Sequence, residues 1–138
     1  MKVHHTKTKG DLGVFKAQLD LYEKGYLILS PQTEHSPFDL VIYKDGTFKR
    51  VQIKYRASRN GKIEVPFRTC WADKNGTHMQ DYDKNEIDLM CIYCPDTDKC
   101  YYINPKECNK IFVLRISPPK NNQQNKINLA EDYLDVPN

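Results

Sequence analysis

Asp39, Gln52 and Lys54 are the residues whose types and spacing could do chemistry: an acid, an amide and an amine that can meet on one face of a hairpin. They lie in SPFDLVIYKDGTFKRVQIKYR, residues 36 to 56, where two strand-like apolar runs flank Asp45-Gly46. An Asp-Gly pair between such runs is a strong hairpin signal. Register follows by counting from this two-residue loop. Lys44 falls opposite Thr47, Tyr43 opposite Phe48, Val41 opposite Arg50 and Asp39 opposite Gln52, with Lys54 two residues further on. Side chains alternate along a strand, so the three polar groups project from one face, opposed Cβ atoms being ~4.5–5.5 Å apart. Val51, Ile53 and Tyr55 then share the other face with Leu40 and Ile42, the side expected to be packed. A slip of one residue would bury Lys54 and expose Ile53. An acid, a neutral oxygen donor and a lysine form the minimum set for metal-dependent phosphodiester hydrolysis, and they also suit the wet face of an ordinary hairpin.

These elements need a scaffold. Leu12, Phe15, Leu19 and Tyr22 recur along one face of an opening helix, with Gly25 placed as its left-handed cap, and Tyr26–Leu29 follows as a strand. Leu89–Cys94 and Cys100–Ile103 are two further apolar runs, joined by the turn from Pro95 to Lys99, and residues 110 to 117 form a last one. The expected fold class is α/β (α+β), with a long N-terminal helix, a mixed central sheet of four or five strands, a basic β-ribbon and a short C-terminal helix. Residues 1–117 form the expected domain, and residues 118–138 a tail that either belongs to it or contacts another subunit.

The formal charge is only +3, but Lys49, Arg50, Lys54, Arg56, Arg59, Lys62 and Arg68 face a single acid, Glu64, between residues 49 and 68. The Asn60-Gly61 pair suggests that the strand through Tyr55 continues into a second strand, Ile63 to Arg68, as an exposed basic ribbon. Pro66 marks that second strand as an edge. Such a ribbon fits the major groove of DNA, where Arg reads guanine and Lys neutralises phosphate. Lys7 and Lys9 are further candidates for gripping DNA beside the site. Residues 69 to 86 read as a long polar connection containing Asn75-Gly76. His78 within it is a solvated histidine or, less simply, a base.

Cys91, Cys94, Cys100 and Cys108 have a spacing that superficially suggests zinc. Cys91 and Cys94 lie in one strand-like run, however, and should point to opposite faces, so buried free thiols in a reducing cytoplasm are expected and zinc is not. Mean hydropathy is -0.73, and no apolar stretch suggests a membrane span or a secretory signal.

Pro37-Phe38-Asp39 followed by Gln52-Ile53-Lys54 resembles the signature of the PD-(D/E)XK nuclease superfamily. Phe38 is inserted after the proline, and Gln52 stands where the family has Asp or Glu. The strings HTKTKGDLG, TEHSPFDLVIYKDG, VQIKYR and KNEIDLMCIYCPDTDKCYYI, within residues 4 to 104, are most similar to the homing endonucleases of this type encoded in bacterial group I introns. The resemblance implies a Mg²⁺-dependent enzyme (another divalent cation would also serve) that cuts both strands of DNA as a homo-oligomer, dimer or tetramer. It also implies metal ligation by Asp39 and the Ile53 carbonyl, with Lys54 holding the attacking water or the developing charge. The helix often supplies a further acid, and Asp11 is the candidate, its alternative role being a helix N-cap. A Holliday junction resolvase shares this core, and a DNA-binding protein without cleavage is kept open by Gln52.

Overall fold

Small residues on the first helix decide how the layers of this protein meet. The computed structural model of the chain describes residues 5–117 and 127–138. Helix α1 (His5–Glu23) presents Gly13, Ala17 and Leu21 to the sheet and buries all three. A Cβ on Gly13 would stand 3.4 Å from the Tyr55 Cβ, so the lack of one lets helix and strand approach closely. The stripe Leu12, Phe15, Leu19 and Tyr22 does lie on one face, but it points away from the sheet, with Phe15 66% and Tyr22 71% exposed. The helix ends as its glycine requires. Gly25 has φ 91°, the Gly25 N–H donates to the Tyr22 carbonyl, and the Tyr26 N–H donates to the Leu21 carbonyl.

The central sheet holds five strands in the order β1 (Leu27–Leu29), β2 (Leu40–Lys44), β3 (Thr47–Tyr55), β7 (Leu89–Cys94), β8 (Lys99–Ile103). All neighbours are antiparallel except β3 and β7, which run parallel, so the sheet is mixed. The hairpin register is the one counted from Asp45-Gly46: Lys44 pairs with Thr47, Tyr43 with Phe48 and Val41 with Arg50. Both turn residues have positive φ, 51° and 82°, as a type I′ turn demands. Leu40, Ile42, Val51 and Ile53 are buried on the helix side, as their alternation indicates.

The chain between β3 and β7 departs from expectation. The Asn60-Gly61 turn forms, with paired hydrogen bonds between Arg59 and Lys62, but the strands on either side of it do not pair with each other. Strand β4 (Lys62–Pro66) instead pairs antiparallel with the distant β9 (Ile111–Arg115), and together they lie over the second face of the sheet. Ile63, Val65, Phe67 and Leu114 pack there against Met90, Ile92, Tyr101 and Ile103. The alternation Lys62 out, Ile63 in, Glu64 out, Val65 in explains why β4 serves as a cover rather than as a free ribbon. The projecting ribbon is formed by residues expected to be a loop. Strands β5 (Arg68–Asp73) and β6 (Gly76–Asp81) form a two-stranded sheet of their own.

The carboxy-terminal segment is a strap rather than a regular α-helix. One 3-10 turn, Ala130–Tyr133, buries Ala130 beside β9, and Val136 then packs against the cluster under α1. Residues 118–126, the first part of the expected tail, lie outside the described residues. No described helix is long and apolar enough to cross a membrane.

Arg50 pins the returning chain to β3. Its backbone N–H and its guanidinium Nε both donate to Asp88 Oδ2, at 2.8 and 2.9 Å, and Nη2 donates to Asp88 Oδ1 and to the Asn85 carbonyl. The side-chain bond from Arg50 holds the Asp88 carboxyl down at about 2. A folded-state value below the unfolded one contributes stability at neutral pH, and that contribution is lost as pH falls from about 4 to about 2. Asp88→Asn should therefore be less stable than wild type in urea titrations at neutral pH, with the gap narrowing through that window.

Candidate active site

Strand β2 begins at Leu40, one residue after Asp39, and the site is built at that start. The Asp39 N–H donates to the carbonyl of Val51, the residue already paired with Leu40, at 2.9 Å, so the regular ladder goes out of step at the acid. On the β2 side no described strand reaches as far as Ile53, whose N–H donates to Asp39 Oδ2 at 2.7 Å. The carboxylate takes the place of a missing strand. A strand residue directs its N–H and C=O to the same side, so the Ile53 carbonyl points towards Asp39 as well.

Asp39 and Gln52 line a cavity of about 300 Å³ together with Ser36, Gln80, Tyr82 and Asp83. Among the described residues the Gln52 amide makes no side-chain hydrogen bond, which leaves its oxygen available to a ligand. Asp39 keeps an exposed edge, yet its carboxyl is pushed up from the ordinary value. Desolvation by the crowded neighbours outweighs the Ile53 N–H bond and the Lys54 charge, both of which pull it down. The Lys54 ammonium donates to the Arg68 carbonyl at 3.3 Å and stands 4.9 Å from the centre of the Tyr82 ring. Burial and then the Arg56 charge lower its pKa, against the opposing pull of Cys70 and Asp39. Tyr82 is pushed up to about 12, mainly by desolvation and then by Asp39, so it stays a neutral phenol.

The donor set fits a hard divalent cation. Asp39 retains acceptor capacity beyond the Ile53 bond, and the Gln52 amide and Ile53 carbonyl add two neutral oxygens. Asp11 is not brought into this group. It is exposed on α1, six residues past His5 and so away from the cap, and it lines neither cavity at the site. The helical residues that do approach are Thr6, Lys9 and Gly10, which line a second cavity with Ile53, Lys54, Tyr55 and Arg56.

The basic residues separate into two sets. Lys9, Lys54 and Arg56 surround that second cavity, Arg59 is exposed at its turn, Lys7 is exposed on α1, and Arg68 is exposed at the base of the ribbon. Arg56 also donates its Nε–H to the Glu64 carbonyl at 2.8 Å, and the others are engaged by the fold. Arg50 is committed to Asp88 and Asn85, Lys49 donates to the Pro137 carbonyl, and Lys62 pairs with Glu64 at 3.4 Å. His78 pairs with Asp73 at 2.9 Å on the ribbon.

Tyr82, Gln80 and Asp83 were not singled out by their sequence. The unusual length of the polar stretch around them was the one available signal. The cysteines divide between the faces of the sheet, Cys91 and Cys100 under the helix, Cys94 and Cys108 on the other side, so the four sulfurs do not converge.

Three comparisons bear on the arrangement. No curated protein matches the sequence. Among solved structures, the fold is similar to that of the bacterial homing endonuclease I-Ssp6803I, with a TM-score of 0.73 at 18% identity, over 94% of this chain and 88% of that one. The family model of the PD-(D/E)XK endonucleases matches residues 4–136. With the helix, the mixed five-stranded sheet and the Asp39/Lys54 hairpin all in place, the chain belongs to the PD-(D/E)XK endonuclease family.

Proposed function

We propose that this chain is a Mg²⁺-dependent, site-specific endonuclease that cuts both strands of duplex DNA, of the intron-encoded homing type. The observation that carries the reading is the Asp39–Ile53 hydrogen bond, which fixes a carboxylate against the strand that bears Lys54. The homing assignment draws support from the named structural neighbour and from the strings quoted above.

Asp39, the Gln52 amide oxygen and the Ile53 carbonyl would hold the cation, which would neutralise the phosphate and make its phosphorus easier to attack. The remaining work falls to the chain's own residues. Lys54, steadied by the Arg68 carbonyl and the Tyr82 ring, sets a positive charge where the pentacovalent phosphate develops its own negative charge. Lys9 and Arg56 flank Lys54 and draw the backbone towards it. A single carboxylate among the ligands gives a weak metal site, since amide and carbonyl oxygens carry no net charge.

One such site cuts one strand, so cutting both requires a second copy, and twofold symmetry suits the antiparallel strands of a duplex. The exposed stripe Leu12, Phe15, Leu19 and Tyr22 is the surface we assign to that contact, because a partner that covers it removes four large side chains from water.

Lys54→Ala should slow cutting by ~10²–10³-fold or more while leaving duplex affinity largely unchanged; full cleavage by this variant would remove Lys54 from the site. Gln52→Glu adds the missing carboxylate and should tighten divalent-metal binding in calorimetric titration, with faster cutting at low Mg²⁺. Unchanged affinity would mean that Gln52 is no ligand. The double substitution Phe15→Glu with Leu19→Lys should bring the sedimenting mass down to that of one chain and turn double-strand breaks into nicks. An unchanged mass would place the contact elsewhere.

A further inference from the structure

The β5–β6 ribbon stands apart from the rest of the protein. It pairs with neither of the other sheets, and a lone two-stranded hairpin is marginal in water without something to pack on. Its in-register pairs Arg68 with Asp81, Cys70 with Met79, and Ala72 with Thr77 place these six side chains on one face. That face is exposed, Met79 by 62%. The base of the ribbon is fixed at the active site, because the Arg68 carbonyl accepts from Lys54 and Gln80 and Asp81 line the cavity that holds Asp39.

Charge tells what such a surface can meet. Between residues 68 and 81, Arg68 and Lys74 balance Asp73 and Asp81, so with His78 neutral the formal charge is zero. The cations suited to phosphate, Lys9, Lys54 and Arg56, lie around the neighbouring cavity instead. A neutral face of small and apolar side chains beside a cationic phosphate site matches base edges better than backbone. Six residues per strand reach ~20 Å, and a two-stranded ribbon fits the major groove, ~12 Å wide, where thymine alone offers a methyl group.

We propose that the Cys70, Ala72, Thr77 and Met79 face of this ribbon enters the major groove beside the cut phosphate and reads thymine methyl groups. The proposal rests on the endonuclease reading for its substrate, and it assigns sequence choice to a segment that carries none of the catalytic residues.

The test separates binding from cutting. Wild type and Met79→Ser are each used to select duplexes from a randomised pool in the presence of a chelator, so that no strand is cut, and the enriched sequences are compared. Wild type should enrich thymines at fixed positions, and replacing one of them by deoxyuridine should weaken its binding about fourfold, the value of one buried methyl group. Met79→Ser should lose that preference and be indifferent to the missing methyl. Enrichment of no sequence by wild type, the same sequences from both proteins, or indifference of wild type to deoxyuridine would overturn the proposal. A change in sedimenting mass on Met79→Ser would overturn it too, by marking the ribbon as a contact between copies of the chain. Cleavage of the same pool with Mg²⁺ is scored independently, so loss of the ribbon proposal and loss of the nuclease reading give different results.

Discussion

The hydrogen bond from the Ile53 N–H to Asp39 Oδ2, 2.7 Å long, joins the architecture to the chemistry. Strand β3 outruns β2, and a long strand that outruns its neighbour leaves backbone groups without partners. The Asp39 carboxylate satisfies one of them, and the same bond holds the acid in place. The same arrangement crowds the carboxylate, and the resulting rise in its pKa shows that the charged form is held at a cost. A cation bound as proposed would offset that cost.

The layers around this bond serve it. On one side α1 approaches through Gly13 and Ala17 and closes over Tyr55, bringing Lys9 and Gly10 next to Lys54. On the other, β4 and β9 cover β7 and β8 and seal the second core. Lys54 is left between the two, with Tyr82 and Arg68 arriving from the excursion that separates β3 from β7. That excursion is tied at both ends, by Arg56 N–H to the Tyr93 carbonyl and by Asp88 N–H to the Arg50 carbonyl.

What the sequence made legible was local. Asp45-Gly46 fixes the register of its hairpin, so the pairs from Lys44–Thr47 to Leu40–Val51 follow by counting, while Asp39 falls out of step by bonding to Val51 and Ile53, and Gly25 announces the end of its helix by its conformational freedom. Periodicity locates a face of α1 but says nothing about which side the sheet occupies. Large apolar side chains suggested burial, whereas close approach to Tyr55 required small ones. The pairing of Ile63 with Leu114 joins segments far apart in the chain, and no local signal favours it over continuation of β3. The β5–β6 ribbon escaped notice because it lacks the apolar and polar alternation that burial of one face imprints on a strand. Gln52 remains the departure from the family pattern that it was in the sequence, and it shares a cavity with the acid.

The tied excursion also bears on how such a protein can change over time. The entropy of closing a loop grows only with the logarithm of its length, so doubling a loop costs about 0.6 kcal/mol. Since both ends of the excursion are anchored on the sheet and β5 and β6 pair only with each other, residues can be added to or exchanged in the ribbon without disturbing the register of β3 against β7. The part of the molecule that holds the acid and the lysine is thereby insulated from drift in the part that projects. A lineage could retarget the second at little thermodynamic risk to the first.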